Sequence, residues 1–148
     1  DIIWNETLSH FDEIKIICEC CSSNNIPFTL NIFLDNELKL LSGEKLLIVV
    51  DFIRTYHPVA IGFNCIHARL IKKIFENYEI DHLWGFYLNC GSGDFNDTEI
   101  NCAVSPREYW KEIEKYLQYS PLYLGSCCGS NPSHTKFIKE KMNEIYSD

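Results

Sequence analysis

Eight cysteines are spread over 148 residues, and their neighbours divide them into two kinds. Cys65, Cys127 and Cys128 each come at the end of a short apolar run, as do Glu6 and the pair Asn89 and Cys90. Three converging thiolates are a zinc ligand set, and three protein ligands with an open fourth position make the catalytic arrangement rather than the structural one. The vicinal pair Cys127-Cys128 is also a dithiol suited to thiol–disulfide exchange. Against both stands the plain reading of cysteine as a small buried hydrophobe. Placement alone leaves the three open, and there is no CxxC pair of the zinc-ribbon kind. Cys18 and Cys21 differ, because with Ile14 and Ile17 they repeat at helical spacing and read as core packing. Cys20 and Cys102 are expected to have no role. His67 reads as a helix-start residue rather than a ligand, His134 as a cap or packing residue of the last helix, and Trp84 and Trp110 as core.

Strands and helices alternate around these residues. Apolar runs predict strands over 1–5, 27–34, 59–64, 83–88 and 122–125. Between them lie amphipathic stretches. A first helix is expected from Ser9, with Asp12 completing a capping box. The run 45–56 is taken as helix from its length and its place between two strands. A third helix covers 67–78. Ser105-Pro106-Arg107-Glu108 is a strong helix start, with cap, early proline and third-position glutamate, and that helix is expected to reach about residue 117. Asn131-Pro132 opens the last one. A polar loop with Gly91-Ser92-Gly93 fills 89–104. Five β/α units with near-continuously apolar strands predict an α/β protein with a parallel sheet buried on both faces. In such a sheet ligands bind at the carboxyl ends of the strands, which is where Glu6, Cys65, Asn89, Cys127 and Cys128 fall. No glycine-rich phosphate fingerprint follows the first strand.

Hydrophobic residues make up 46% and charged residues 23% of the chain, which excludes a disordered or low-complexity protein. The net charge is −8 and the isoelectric point about 5.1, so neither nucleic acid nor an anionic membrane is an expected partner. No apolar run reaches the roughly 18 residues of a membrane span. The sequence shows no secretory leader, and the crowded 18–20–21 and 127–128 spacings suit cross-linking poorly. Reduced thiols and a cytoplasmic location are therefore expected.

Gly62-Phe63-Asn64-Cys65 resembles the G-x-N-C motif of the homocysteine S-methyltransferases, and Gly125-Ser126-Cys127-Cys128-Gly129-Ser130-Asn131-Pro132 resembles their G-G-C-C-G-T-x-P motif. Tyr87-Leu88-Asn89-Cys90-Gly91 is similar to the Y-P-N-S-G segment between them, and Trp4-Asn5-Glu6-Thr7 to the F-E-T segment at a strand end. Order and spacing agree along the whole chain. Ser126, Leu88, Cys90 and Asn5 depart from the family pattern.

The resemblance implies a (β/α)8 barrel with one zinc held by three cysteines, here Cys65, Cys127 and Cys128. It implies that Glu6 holds the homocysteine amino group and that Asn89 belongs to the substrate-side loop. The branch it is most similar to uses S-methylmethionine or S-adenosylmethionine as methyl donor. A zinc-stabilised thiolate attacking a sulfonium methyl needs no general acid, since the donor leaves as a neutral thioether. A (β/α)8 barrel takes roughly 250 residues. Residues 1–148 are thus expected to form one homocysteine-binding-type domain, a partial TIM barrel of five β/α units corresponding to barrel strands 4 to 8, with the first three units missing. Two function classes follow: a zinc-dependent homocysteine methyltransferase, or a truncated, catalytically inactive zinc-binding relict. A redox protein using Cys127-Cys128 is a third. Open sheet edges predict self-association or a complementing chain.

Overall fold

The computed structural model describes residues 1–92, 101–102 and 104–147. Most of the loop expected at 89–104, Gly93 included, lies outside these residues, as does the Cys102 side chain. The elements are β1 (Ile3–Leu8), α1 (Phe11–Ser23), β2 (Phe28–Ile32), α2 (Leu46–Arg54), β3 (Ala60–Asn64), α3 (Ala68–Asn77), β4 (Trp84–Leu88), β5 (Gly91–Ser92), β6 (Asn101–Cys102), α4 (Pro106–Ile113), a 3-10 segment (Glu114–Tyr119), β7 (Tyr123–Ser126) and α5 (Pro132–Tyr146). Five strands form one sheet in the order β1-β2-β3-β4-β7, and every pair is parallel. Strand order follows chain order, the arc of a (β/α) barrel. Its edges are β1 and β7, and Ile3 and Trp4 on β1 are exposed. Within the loop after β4, β5 and β6 pair antiparallel. No helix among the described residues is long and apolar enough to cross a membrane.

The helices follow their local signals, with two departures. Ser105 and Glu108 form a reciprocal capping box at the start of α4. Asn131 and His134 do the same for α5, where buried His134 accepts from the Asn131 N–H at 3.2 Å and Nε2 donates to the Val104 carbonyl at 3.1 Å. The first departure is at α1. Its cap is His10 without a side-chain bond, not Ser9 with Asp12. Ser9 is diverted to tertiary bonds, donating to the Phe33 carbonyl at 3.1 Å and accepting from the Leu41 N–H at 2.9 Å. The second is the helix after Ser105, which tightens to 3-10 geometry beyond Ile113 and ends on Ser120 in the left-handed region.

The two sheet faces differ in chemistry. Leu30, Ile32, Ile61, Phe63, Phe86 and Leu124 point one way, toward the helices. The other face carries Thr29, Asn31, Gly62, Asn64, Gly85, Tyr87, Tyr123 and Gly125, because side chains alternate along a strand. β2 and β3 are buried at every position, but β1 is largely exposed and β7 half-buried, so the expected two-sided burial is met by the central strands alone; the inner side is polar, glycine-rich and aromatic. Tyr123 crosses this side. It donates to Asn31 Oδ1 at 2.5 Å, and the Trp4 ring packs on it at 4.5 Å. Gly62 and Gly85 leave room for it: a Cβ on Gly85 would lie 2.5 Å from the Tyr123 ring, and one on Gly62 2.0 Å from its hydroxyl.

Gly85→Ala is accordingly expected to destabilise the chain by about 1–3 kcal/mol through overpacking, read as a shift in the urea unfolding midpoint. In a Tyr123→Ala background the same change should cost much less. Equal costs in both backgrounds would show that Tyr123 is not what the glycine accommodates.

Candidate metal centre

The sulfurs of Cys65, Cys127 and Cys128 meet at the carboxyl end of the sheet, mutually within 4.8 Å. Cys65 follows β3 directly and turns out of it through a left-handed backbone (φ 56°). That conformation disfavours a residue bearing a Cβ, so the sheet must hold it. It does so through the Cys65 N–H, which donates to the Tyr87 carbonyl at 3.0 Å. Cys127 and Cys128 follow β7 and enter a turn in which Gly129 has φ 77°. This turn is tied to the end of β4 from both sides: Cys127 N–H donates to the Leu88 carbonyl at 2.8 Å, and Cys90 N–H to the Cys128 carbonyl at 2.7 Å.

Cys65 and Cys127 are joined by a disulfide, S–S 2.04 Å. Parallel pairing of the strands brings together two cysteines that are 62 residues apart. The bonded pair is also not the vicinal dithiol, whose sulfurs lie 3.8 Å apart. The third edge of the triangle, Cys65 to Cys128, is 3.6 Å. Tetrahedral zinc with Zn–S bonds of about 2.3 Å sets its sulfurs about 3.8 Å apart. Two edges therefore have the zinc spacing as they stand, and the third reaches it once the disulfide is reduced to the thiolates a metal needs. The donor set fits zinc.

A cavity of about 330 Å³ opens beside the sulfurs, within the size range of small-molecule pockets. Cys65, Cys128 and Asn89 line it together with Thr7, His67 and the apolar Phe33. Glu6 is not among its lining residues; it is exposed on β1 near the Tyr87 hydroxyl. Burial first, and the Glu6 charge after it, hold that phenol's pKa above the usual tyrosine range. Trp4 Nε1 donates to the same hydroxyl at 3.3 Å. The structure thus brings Asn89 to the cysteines and leaves Glu6 with an aromatic group on the inner face.

The remaining cysteines behave differently. Cys18 and Cys21 face the core on α1, and burial pushes the Cys18 thiol up to about 12 and the Cys21 thiol also upward. Cys20 is exposed. His67 stands at the start of α3 without a side-chain cap bond.

Sequence reasoning missed the support given by Asn64. Its side chain, buried at the end of β3, accepts from the Thr7 N–H at 2.9 Å and donates to Thr7 Oγ1 at 2.8 Å. Thr7 has φ 57°, like Cys65. One carboxamide therefore holds the kinked end of β1, next to Glu6, against the strand that delivers Cys65. The available signal was the alternation in Ala60-Ile61-Gly62-Phe63-Asn64, which places Asn64 on the inner face.

The sequence model of the homocysteine S-methyltransferase family matches residues 1–142. Fifteen chains of solved structures match the fold. One of them is the homocysteine methyltransferase MmuM from Escherichia coli in its oxidized form, with TM-score 0.74 and 19% sequence identity. The match covers 95% of this chain and 45% of that one, so the chain spans less than half the length of that relative. No curated protein matches the sequence.

Replacing buried Asn64 with Ala strips both the Thr7 N–H and the Thr7 hydroxyl of their partner. The expected cost is about 1–3 kcal/mol in urea unfolding, with faster solvent exchange of the Thr7 amide. An unchanged midpoint and unchanged exchange would remove Asn64 from the support of the site.

Proposed function

The chain belongs to the homocysteine S-methyltransferase family, and from that premise we propose that it serves zinc-dependent transfer of a methyl group from a sulfonium donor, S-methylmethionine or S-adenosylmethionine, to homocysteine, giving methionine. The observation that carries this reading is the convergence of three cysteine sulfurs with two edges at 3.6 and 3.8 Å beside a pocket. Zinc, when bound, supplies a Lewis acid that keeps a substrate thiol ionised near neutral pH, against its ordinary pKa of about 8.5.

The chain's own residues do the rest. Cys65, Cys127 and Cys128 hold the ion as thiolates and lose their protons in doing so. Asn89 offers a carboxamide to the polar end of homocysteine within the pocket. The apolar lining, Phe33, Leu34, Ile66 and Leu70, excludes water from around a reacting sulfur and so strengthens charge interactions there. The family resemblance offers Glu6 as the carboxylate for the homocysteine amino group, and since Glu6 stands outside the pocket lining, that role requires the substrate to extend from the pocket toward the inner face of β1. A cationic donor is favoured beside a centre of three thiolates, and its departure as a neutral thioether asks for no proton donor.

A second reading has its own support. Asn5, Leu88, Cys90 and Ser126 depart from the family's motifs around intact cysteine ligands, which suits a member that binds zinc without turning over.

After reduction, the purified chain is expected to hold about one zinc ion, lost in Cys65→Ser, Cys127→Ser and Cys128→Ser but kept in Cys18→Ser. Metal analysis by mass spectrometry checks this. Methionine formation from homocysteine and either donor then separates the readings: turnover supports the enzyme, and zinc without turnover supports the relict. A reduced chain that takes up no zinc sinks both.

A further inference from the structure

One buried hydroxyl joins the two strand ends behind the cysteine centre. Leu88 stands opposite Ser126 in the β4–β7 pair, so in a parallel ladder its N–H is directed to the carbonyl of Gly125 and its carbonyl to the N–H of Cys127. The second bond is present at 2.8 Å. At the first, the phenol of Tyr109 bridges the two groups. It accepts from the Leu88 N–H at 3.1 Å and donates to the Gly125 carbonyl at 2.7 Å, with the Leu88 carbonyl 3.3 Å away. Tyr109 is buried and rides on α4, whose start is fixed by the Ser105–Glu108 capping box. The residues leaving these strand ends are Asn89 and Cys90 on one side and Ser126, Cys127 and Cys128 on the other.

We propose that Tyr109 is a positioning residue of the cysteine centre: its hydroxyl, bridging Leu88 and Gly125, sets where the Cys127-Cys128 turn leaves the sheet and so the distance of those sulfurs from Cys65. The hydroxyl reaches both the donor and the acceptor of the last rung, and the turn hangs from the next bond, Cys127 N–H to the Leu88 carbonyl. Phenylalanine would keep the ring's packing while removing that hold from α4, leaving the strand ends and the turn free to shift. Where the use of the centre is metal binding, this inference rests on the proposed function. The bridge itself does not.

The test compares Tyr109→Phe with Tyr116→Phe. Tyr116 is a buried tyrosine of the 3-10 segment whose hydroxyl donates to the Ala68 carbonyl at 2.6 Å, away from the strand ends. Both variants lose one buried hydroxyl. Only Tyr109→Phe is expected to weaken zinc binding by the reduced chain, about 10–100-fold, the usual effect of removing an outer support of a metal ligand. It is also expected to alter the thiolate-to-metal absorption of the cobalt(II) form. A metal-free arm measures iodoacetamide alkylation of each cysteine in the reduced chain. Rates at Cys127 and Cys128 should change several-fold in Tyr109→Phe, with exposed Cys20 as the unchanged reference. If the reduced parent chain takes up no zinc, the metal reading falls and alkylation alone decides the role of Tyr109. Alkylation rates and, where zinc binds, affinities equal to the parent's overturn the proposal, as do equal changes in Tyr116→Phe.

Discussion

The parallel register that sets Asn64 beside Tyr87, and Tyr87 beside Gly125, is the constraint on which the rest of the site depends. It ends three strands at one level. The residues that follow them, Cys65 after β3, Asn89 after β4 and the Cys127-Cys128 turn after β7, then share one rim. Backbone hydrogen bonds across that rim carry the loops as well as the strands: Cys65 to Tyr87, Cys127 to Leu88 and Cys90 to Cys128. A shift of one residue in a single pair would turn every side chain of that strand to the opposite face and move one cysteine away from the others. The helices protect this register, because the apolar residues of β2, β3 and β4 pack against them on the other face.

The inner face follows a different rule from the outer one. The outer face is aliphatic and aromatic, whereas the inner one alternates glycine with tyrosine and amides. Tyr123 fills the space that Gly62 and Gly85 leave, and its hydroxyl meets Asn31. Trp4 and Tyr87 extend the aromatic surface toward Glu6. Most buried polar groups need a partner, and on this face three pairings run between strands: Asn31 with the Asn5 carbonyl at 2.8 Å, Asn64 with Thr7, and Tyr123 with Asn31; the Thr29 hydroxyl is buried without one. These bonds lock neighbouring strands in place more specifically than aliphatic contacts would, since a displaced amide loses its partner.

Much of this was legible in the sequence, and for local reasons. The starts of α4 and α5 are read from four residues each, because capping is a matter of neighbouring backbone groups. The five strands come from runs of apolar residues, and the helix over 45–56 from its length and its place between two strands. The α1 start was misplaced by the same local logic: Ser9 had the right chemistry for a cap, but Phe33 and Leu41 claimed its hydroxyl. The strands looked apolar throughout because glycine and tyrosine fit a hydrophobic reading as well as a polar interior.

By itself, the sequence determined which chemically competent side chains the chain carries and at which element ends they fall. Cys65 and Cys127-Cys128 close apolar runs within motifs that resemble one family, and the family match over residues 1–142 agrees. Only the tertiary structure decided which groups meet. It joined Cys65 to Cys127 rather than Cys127 to Cys128, placed Asn89 but not Glu6 in the pocket, and put Tyr109 between Leu88 and Gly125. Those choices depend on the register between segments as many as 62 residues apart. Register is set by the packing of the whole sheet, and no local pattern of residues encodes it.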